Sequence, residues 1–218
     1  MAIIKILVGQ PIHETSIDQL ENEIKDNSNT DMFIYPEGYL VDEEALLNAC
    51  EIAKKYNKTI ITGYRSKNKD RALIINNLGR KVLDRAKTPE DEGLYSPSVV
   101  DNDGLRIGYL LCREILKGIE GLKGIGERLD FIAHPIGVGM FSEEQFEEWV
   151  NVAKNIAITY KTIIIGTSHS DGSYRDCGVS IPISYCIDAS GEIVYISKAD
   201  KRTRIINLLT KEVETIGI

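Results

Sequence analysis

Short runs of β-branched and aliphatic residues alternate along the chain with longer stretches in which apolar positions recur every three or four residues. The short runs predict strands over Ile3–Val8, Met32–Tyr35, Thr59–Thr62, Ala72–Ile75, Lys81–Ala86, Leu105–Leu111, Phe131–His134, Thr162–Ile165, Val179–Ile187, Ile193–Ser197 and Arg204–Leu208. The longer stretches predict helices over Ile17–Lys25, Glu43–Tyr56, Glu114–Ile125 and Glu143–Tyr160. Ser142 ahead of Glu143-Glu144-Gln145 supplies an N-cap and a capping-box pattern for the last of these. Strands alternating with helices mark a layered α/β fold.

The pattern repeats. Asp31-Met-Phe-Ile-Tyr-Pro36 matches Asp130-Phe-Ile-Ala-His-Pro135, an acidic residue followed by an apolar strand and an aromatic-Pro exit. Each is followed by a helix and then by a similar strand, Asn57-Lys-Thr-Ile-Ile-Thr-Gly63 against Tyr160-Lys-Thr-Ile-Ile-Ile-Gly166. Ile4-Lys5-Ile6 and Leu105-Arg106-Ile107 open the two halves, and turns at Leu78-Gly79 and Ser190-Gly191 close hairpins near their ends. Two strand-helix-strand-helix-strand units predict two sheets with helices on their outer faces, related by a pseudo-twofold. No Pro/Gly/Ser-rich linker separates them, so 1–218 reads as one domain.

The repeat also separates scaffold from chemistry. Pro36 and Pro135 correspond, but the next residue is Glu37 in one half and Ile136 in the other. Cys112 ends the first strand of the second half, where Gln10 lies near the matching place in the first. Residues that break the symmetry at strand ends are candidates for function, because loops at strand C-termini carry the sites of α/β folds.

Composition narrows the partners. Among 218 residues, 26 Lys plus Arg stand against 33 Asp plus Glu, a formal net charge of -7. That balance argues against nucleic acid or an anionic membrane surface, both of which favour positive fields. The basic stretch Lys198, Lys201, Arg202, Arg204 reads as a solvated face. With 43% hydrophobic and 27% charged residues, the chain has the composition of a soluble globular protein. The run Ile3-Ile4-Lys5-Ile6-Leu7-Val8 is too short and too interrupted for a signal peptide, and no segment has the length of a membrane span. Cys50, Cys112, Cys177 and Cys186 are scattered without zinc-site spacing. Free thiols in the cytoplasm are the expectation.

Cys112 lies where the strand Leu105–Leu111 turns into a helix, and free backbone N–H groups there favour a thiolate and an oxyanion. Taken alone, a cysteine after an apolar strand is more simply a small buried hydrophobe. Glu37, at another strand exit, is a candidate proton shuttle if a mostly apolar pocket raises its pKa, and otherwise a surface or helix-start residue. Lys87 ends the strand Lys81–Ala86; facing a reacting carbonyl it would stabilise negative oxygen, though a lone lysine is ordinarily solvated.

Strand–Pro-Glu, strand–Lys and strand–Cys, in that order, resemble the nitrilase superfamily of carbon–nitrogen hydrolases. The resemblance runs from Ile3-Ile-Lys-Ile-Leu-Val-Gly-Gln10 through Tyr35-Pro-Glu37, Asn77-Leu-Gly79, Lys87 and Leu110-Leu-Cys112-Arg-Glu114. It continues through His134-Pro135 to Ile187-Asp-Ala-Ser-Gly191-Glu-Ile. It implies a four-layer αββα sandwich and a Glu–Lys–Cys triad that hydrolyses a small non-peptide C–N bond, amide before nitrile, through a thioester. On that pattern Cys112 attacks, Glu37 acts as base then acid, Lys87 and the Arg113 backbone N–H hold the oxyanion, and Glu92 or Glu90 supplies a second carboxylate, Glu92 being favoured. It also implies a homodimer or higher homo-oligomer, and no cofactor or metal. Arg113 departs from the aromatic residue usual after the cysteine, and its side chain suits either a carboxylate on the substrate or a structural ion pair.

Three other readings stand beside this one. The same fold could serve as a non-catalytic module that binds a metabolite or a partner protein. His134 or His169 could pair with Cys112 in a Cys-His hydrolase, and acyl transfer to an amine would use the same triad. Gly121-Leu-Lys-Gly124-Ile-Gly126 precedes a strand, so it is a helix-to-strand connection rather than a phosphate loop. His13 has no evident partner, Ser168-His169-Ser170 lacks a nucleophile elbow, and Trp149 reads as packing.

Overall fold

A computed structural model describes residues 3–123, 128–172 and 180–217. In chain order the elements are β1 (Lys5–Val8), α1 (Asp18–Asp26), β2 (Met32–Ile34), α2 (Glu43–Tyr56), β3 (Thr59–Ser66), β4 (Lys69–Ile75), β5 (Lys81–Ala86), β6 (Val99–Asn102) and β7 (Leu105–Tyr109). A 3₁₀ helix (Cys112–Lys117), α3 (Gly118–Gly121), β8 (Phe131–Pro135), α4 (Glu143–Tyr160), β9 (Ile163–Thr167), β10 (Ile183–Ile187), β11 (Ile193–Lys198), β12 (Thr203–Asn207) and β13 (Val213–Ile216) follow. Cys177, Val179 and the glycines Gly124 and Gly126 fall outside the described residues.

Two sheets form, in the orders β13-β12-β1-β2-β3-β4-β5 and β11-β10-β9-β8-β7-β6. The first three strands of each half are parallel, and the hairpin strands add antiparallel. Each half then lends strands to the other sheet, the first β6 and the second β12 and β13. Thus β6 pairs with β7 and β12 with β1. The two halves are tied together by this exchange, which the hydrophobic pattern did not foretell.

Equivalent hydrogen bonds confirm the pseudo-twofold. Lys5 N donates to Asp31 Oδ2 at 2.8 Å and Arg106 N to Asp130 Oδ2 at 2.7 Å. Gly9 N to Ile34 O and Leu110 N to Ala133 O are both 3.0 Å, and Lys87 N to Asp70 O (2.8 Å) is matched by Ala199 N to Pro182 O (2.9 Å). Pro11 is therefore the counterpart of Cys112, Ile136 of Glu37 and Ala199 of Lys87. One expected match is corrected. Ile34 pairs with Ile61 and Ala133 with Ile165, so Thr59 corresponds to Ile163, not to Thr162. The shared Thr-Ile-Ile run aligns with itself one residue out of step.

Alternation along the strands builds three apolar layers. Phe33 of β2 joins α1 and α2 on the outer face, while Met32 and Ile34 face the other sheet. Ile107, Phe131 and Ile165 meet them between the sheets, and α4 covers the far face through Trp149, Ala153 and Ile156. Each fully buried aliphatic side chain contributes roughly 1.5–3 kcal/mol, so the αββα order is set by which face each run presents. Both long helices carry the expected caps. Asp42 accepts from Ala45 N at 2.8 Å and Ser142 from Gln145 N at 3.2 Å. Among the described residues no helix is long and apolar enough to cross a membrane.

The expected helix over Glu114–Ile125 is instead the 3₁₀ helix followed by the single turn of α3. The side chain of Glu114 is turned inward and accepts from Leu111 N at 2.8 Å, which tightens the first turn. Gly118 sits where a Cβ would lie 2.7 Å from Ile156 and 2.9 Å from Leu110, so the chain is pressed against α4 and β7 at that point.

Candidate active site

Three strand exits, from both sheets, converge at one end of the sandwich. Glu37 follows β2, Lys87 follows β5 and Cys112 follows β7. Lys87 Nζ lies 2.7 Å from Glu37 Oε1, and Cys112 is close enough to both for each to shift its pKa. The three expected residues are brought together as a contiguous group. Glu37 is 1% exposed and Cys112 7%. Gly63 on β3 makes the approach possible, because a Cβ there would sit 3.1 Å from Glu37 Cα and 3.1 Å from a Leu111 methyl.

Burial sets the protonation states. It raises the Glu37 carboxyl above its ordinary range, with the Lys87 charge pulling the other way. For Lys87 burial opposes the charge, but Cys112 and Glu37 beside it outweigh that and hold the ammonium above its usual pKa. Burial and then Glu37 push the Cys112 thiol up to about 12, against the opposing pull of Lys87 and of the Gly137 backbone. A thiol made acidic by a helix N-terminus was the expectation. The structure corrects it: the six-residue 3₁₀ helix starts at Cys112 itself, and desolvation dominates. At neutral pH the arrangement is a protonated thiol beside a carboxylate whose proton affinity is elevated.

Cys112 stands on a strained elbow. Its φ is +52°, a left-handed conformation that L-residues other than Gly, Asn and Asp seldom adopt. Two buried groups hold it. His134 Nε2 donates to Cys112 O at 2.8 Å, and its Nδ1 meets Tyr185 OH at 2.5 Å. His134 is fully buried and its pKa falls to about 4, so the ring is neutral. It bonds the carbonyl oxygen of the cysteine, not the sulfur, which leaves the Cys-His pairing without its geometry. Glu114 accepts from Arg85 Nη1 at 2.7 Å and Nη2 at 2.8 Å, and from Thr88 N at 2.7 Å. Arg85 lies on β5 just before Lys87, so this buried fork locks the lysine's strand to the cysteine's elbow.

Solved structures with the same arrangement of layers carry the comparison further. A carbon–nitrogen hydrolase from Helicobacter pylori G27 superposes with TM-score 0.72 at 17% identity, covering 96% of this chain and 90% of that one. Nit3 of Saccharomyces cerevisiae, a member of branch 10 of the nitrilase superfamily, gives 0.75 at 12% identity, covering 94% and 90%. A mutant of the Nesterenkonia AN1 amidase from the nitrilase superfamily gives 0.75 at 13%, covering 95% and 92%. The fold is that of the nitrilase superfamily. No protein-family model matches the sequence, and no curated protein does.

Within this nitrilase fold, the second carboxylate is not where the resemblance puts it. Glu92 is exposed and accepts from Tyr95 OH at 2.7 Å, while Glu90 pairs with Arg113 Nε at 2.8 Å, both outside the trio. The segment Thr88–Glu92 is too short to fold back over Lys87; Thr88 is already held by Glu114. The carboxylate that does act on both Glu37 and Lys87 is Asp70, on β4. Sequence reasoning missed it because β4 reads only as a hairpin strand. The Arg113 side chain is half exposed and engaged with Glu90, the ion-pair alternative. Both line a recess of about 380 Å³ with Lys69, Asp70, Lys87 and Thr88, to which Lys87 is the one member of the trio that contributes. A larger recess of about 770 Å³, bordered by Glu23, Asp200 and Arg202, contains none of the three. Among the described residues no group of three His, Cys, Asp or Glu is placed to hold a metal ion.

Proposed function

We propose that this protein is a thiol-dependent carbon–nitrogen hydrolase, amidase-like, acting on a small non-peptide substrate. The observation that carries this reading is the placing of Glu37 beside both Lys87 and the Cys112 thiol at the end of a nitrilase-type sandwich. In the first step the Cys112 sulfur attacks the amide carbon as its proton passes to Glu37. The carbonyl oxygen takes up the electron pair, stabilised by Lys87 and by the Arg113 backbone N–H. Glu37 then returns the proton to the nitrogen, the C–N bond breaks, and ammonia or an amine leaves a thioester on Cys112. Water attacks that thioester with Glu37 again as base, and the acid product departs as the thiol is re-protonated.

The state of the thiol supports this order. A thiol held near pKa 12 stays protonated at neutral pH, so its attack depends on Glu37, beside it, taking the proton. As a nitrilase-fold protein the chain would work in the cytoplasm as a homodimer, which sedimentation at micromolar concentration checks.

The test is alkylation by limiting iodoacetamide, read by peptide mass spectrometry, followed by a screen of small amides and nitriles. A glutamate-to-glutamine mutant of the Nesterenkonia amidase records Michael addition of acrylamide at its active-site cysteine, so acrylamide is a second probe. Preferential labelling of Cys112 that disappears in Glu37→Gln and in Lys87→Ala, with amide turnover lost in Cys112→Ala, is the expected result. Labelling of Cys112 no faster than Cys50 or Cys186, with no turnover across the screen, would sink the catalytic reading and favour a binding module.

A further inference from the structure

Gly137 follows the pseudo-symmetric counterpart of Glu37, and its backbone lies close enough to the Cys112 thiol to lower the thiol's pKa. A glycine has no side chain to hold it, and its backbone loses more freedom on ordering than any other residue. A donor placed on such a residue is effective only if other contacts fix it.

The loop that bears it is clamped at three points. Ile136 N donates to Thr167 O at 2.8 Å on one side. On the other, Met140 N to Ile181 O (2.9 Å) and Ile181 N to Met140 O (2.8 Å) close a two-way bridge. A Cβ on Gly139 would lie 1.8 Å from Ile181 O, so that approach tolerates no side chain. Between these clamps the Gly137 carbonyl accepts a hydrogen bond from His169 Nδ1 at 2.9 Å.

A carbonyl oxygen can only accept, so this contact fixes the tautomer: His169 carries its proton on Nδ1. The ring is completely buried. It stacks on His13 with centroids 3.7 Å apart and planes 15° apart. His13 in turn directs Nδ1 at both oxygens of Asp171, at 2.8 and 2.9 Å. The stack arrives from the loop after β1 and the exit of β9, elements of opposite halves, so the ring that grips Gly137 is itself held from both sheets.

We propose that His169 is a positioning residue for the nucleophile, holding Gly137 so that its N–H faces the Cys112 sulfur, with the His13–Asp171 pair bracing the ring. The inference rests on the catalytic role proposed for Cys112, but it concerns a contact that can be measured without turnover. A hydrogen bond to a charged group is worth about 1.5–3 kcal/mol, so loss of the donor lowers the thiolate population by about tenfold or more.

The experiment compares His169→Leu, which keeps the volume without a donor, with His169→Asn, whose amide N–H sits where Nδ1–H was. Iodoacetamide labelling of Cys112 at a fixed mildly alkaline pH should slow about tenfold in the leucine variant. Its pH–rate curve should move to higher pH, and the asparagine variant should recover most of the rate. A packing role alone would lower stability in both variants and leave the curve in place, which would overturn the proposal. A leucine variant that labels like the unsubstituted protein would do the same. Should the leucine variant not fold, nitrogen-15 NMR of the unsubstituted protein decides: an Nδ1-protonated, neutral His169 is required, and an Nε2–H tautomer refutes it. Slow labelling of Cys112 in every form with no shift between them counts against both the catalytic reading and this one; fast labelling that ignores His169 counts only against this one.

Discussion

The two halves share a fold but not a chemistry. At the three strand exits where the first set of positions holds Glu37, Lys87 and Cys112, the pseudo-twofold places Ile136, Ala199 and Pro11. The frame is matched down to individual bonds, with Gly9 N to Ile34 O and Leu110 N to Ala133 O at the same 3.0 Å. The difference is carried by side chains and by the local backbone, since Cys112 has φ +52° where its counterpart is a proline, and Ala199 has φ +57° where its counterpart is Lys87. Where a charge is buried, further groups surround it: Lys87 beside Glu37, Arg85 beside Glu114. Where it is absent, Ile136 and Pro11 are simply buried. A buried ionisable group that comes with its own partners is worth reading as function, because desolvation makes it costly to keep otherwise.

Removing the nucleophile tests that contrast most severely. Cys112→Ala should lower amide turnover by ~10³-fold or more, whereas Pro11→Ala at the equivalent exit should leave it within a few-fold. Rates are compared on whichever amide the screen identifies. Comparable losses at both positions would mean that the site spans the pseudo-twofold and that the asymmetry has been misjudged.

Much of this contrast was readable in the sequence. Glu37 and Cys112 end strongly apolar runs, Lys87 follows a predicted strand, and the repeat exposes Glu37 against Ile136 directly. The strands and the two long helices followed from period-two and three-to-four spacing, with α2 and α4 found to the residue. What escaped has physical reasons. β6 (Val-Val-Asp-Asn) and β13 (Val-Glu-Thr-Ile) are four-residue outer strands with too little apolar pattern to signal themselves, and they exist because a neighbour offers unpaired backbone. Arg85, Asp70, Gly63, Gly137 and His169 act across long separations in sequence, so no local window contains their partners. Glu92 was misplaced because proximity to Lys87 in sequence stood in for proximity in space.

The next largest effect concerns the anchors of the elbow. Glu114→Ala strands Arg85 without its fork partner in the interior and should cost about 3–5 kcal/mol. Ser197, the counterpart of Arg85, bonds only Asp200 O at 2.6 Å and Gln10 Oε1 at 3.4 Å, so Ser197→Ala should cost about 1 kcal/mol. Urea unfolding of the two variants measures both. Equal costs would show that the charged fork adds nothing beyond an ordinary hydrogen bond.

Acid separates the halves again. His134, whose counterpart is Tyr35, and His169 are buried neutral with pKa about 4 against an ordinary 6.5. The unfolded chain binds protons that the native state refuses, so stability present above pH 6.5 is lost as pH falls through 6.5 toward 4, by up to about 3 kcal/mol per ring. Glu37, with its carboxyl raised, works in the opposite sense, because acid favours its folded, neutral form. Hydrogen exchange as the pH is lowered should therefore show β8 and β9 losing protection before β2 and β3. Simultaneous loss in both sheets would place the acid-sensitive step elsewhere.

The smallest effect lies far from the site. The helices α2 and α4 end at equivalent left-handed residues, Asn57 at φ 57° and Lys161 at φ 50°. Asparagine tolerates that conformation, whereas for lysine it costs roughly 1–2 kcal/mol, of which glycine's extra backbone entropy takes back about half. Lys161→Gly should therefore raise stability by ~0.5–1 kcal/mol, and Asn57→Gly should change it little. Thermal unfolding of the pair reads the difference. A gain confined to Lys161 would show that the second half carries more backbone strain at its helix end as well as at its Cys112 elbow; equal responses would show that the two helix ends carry the same strain.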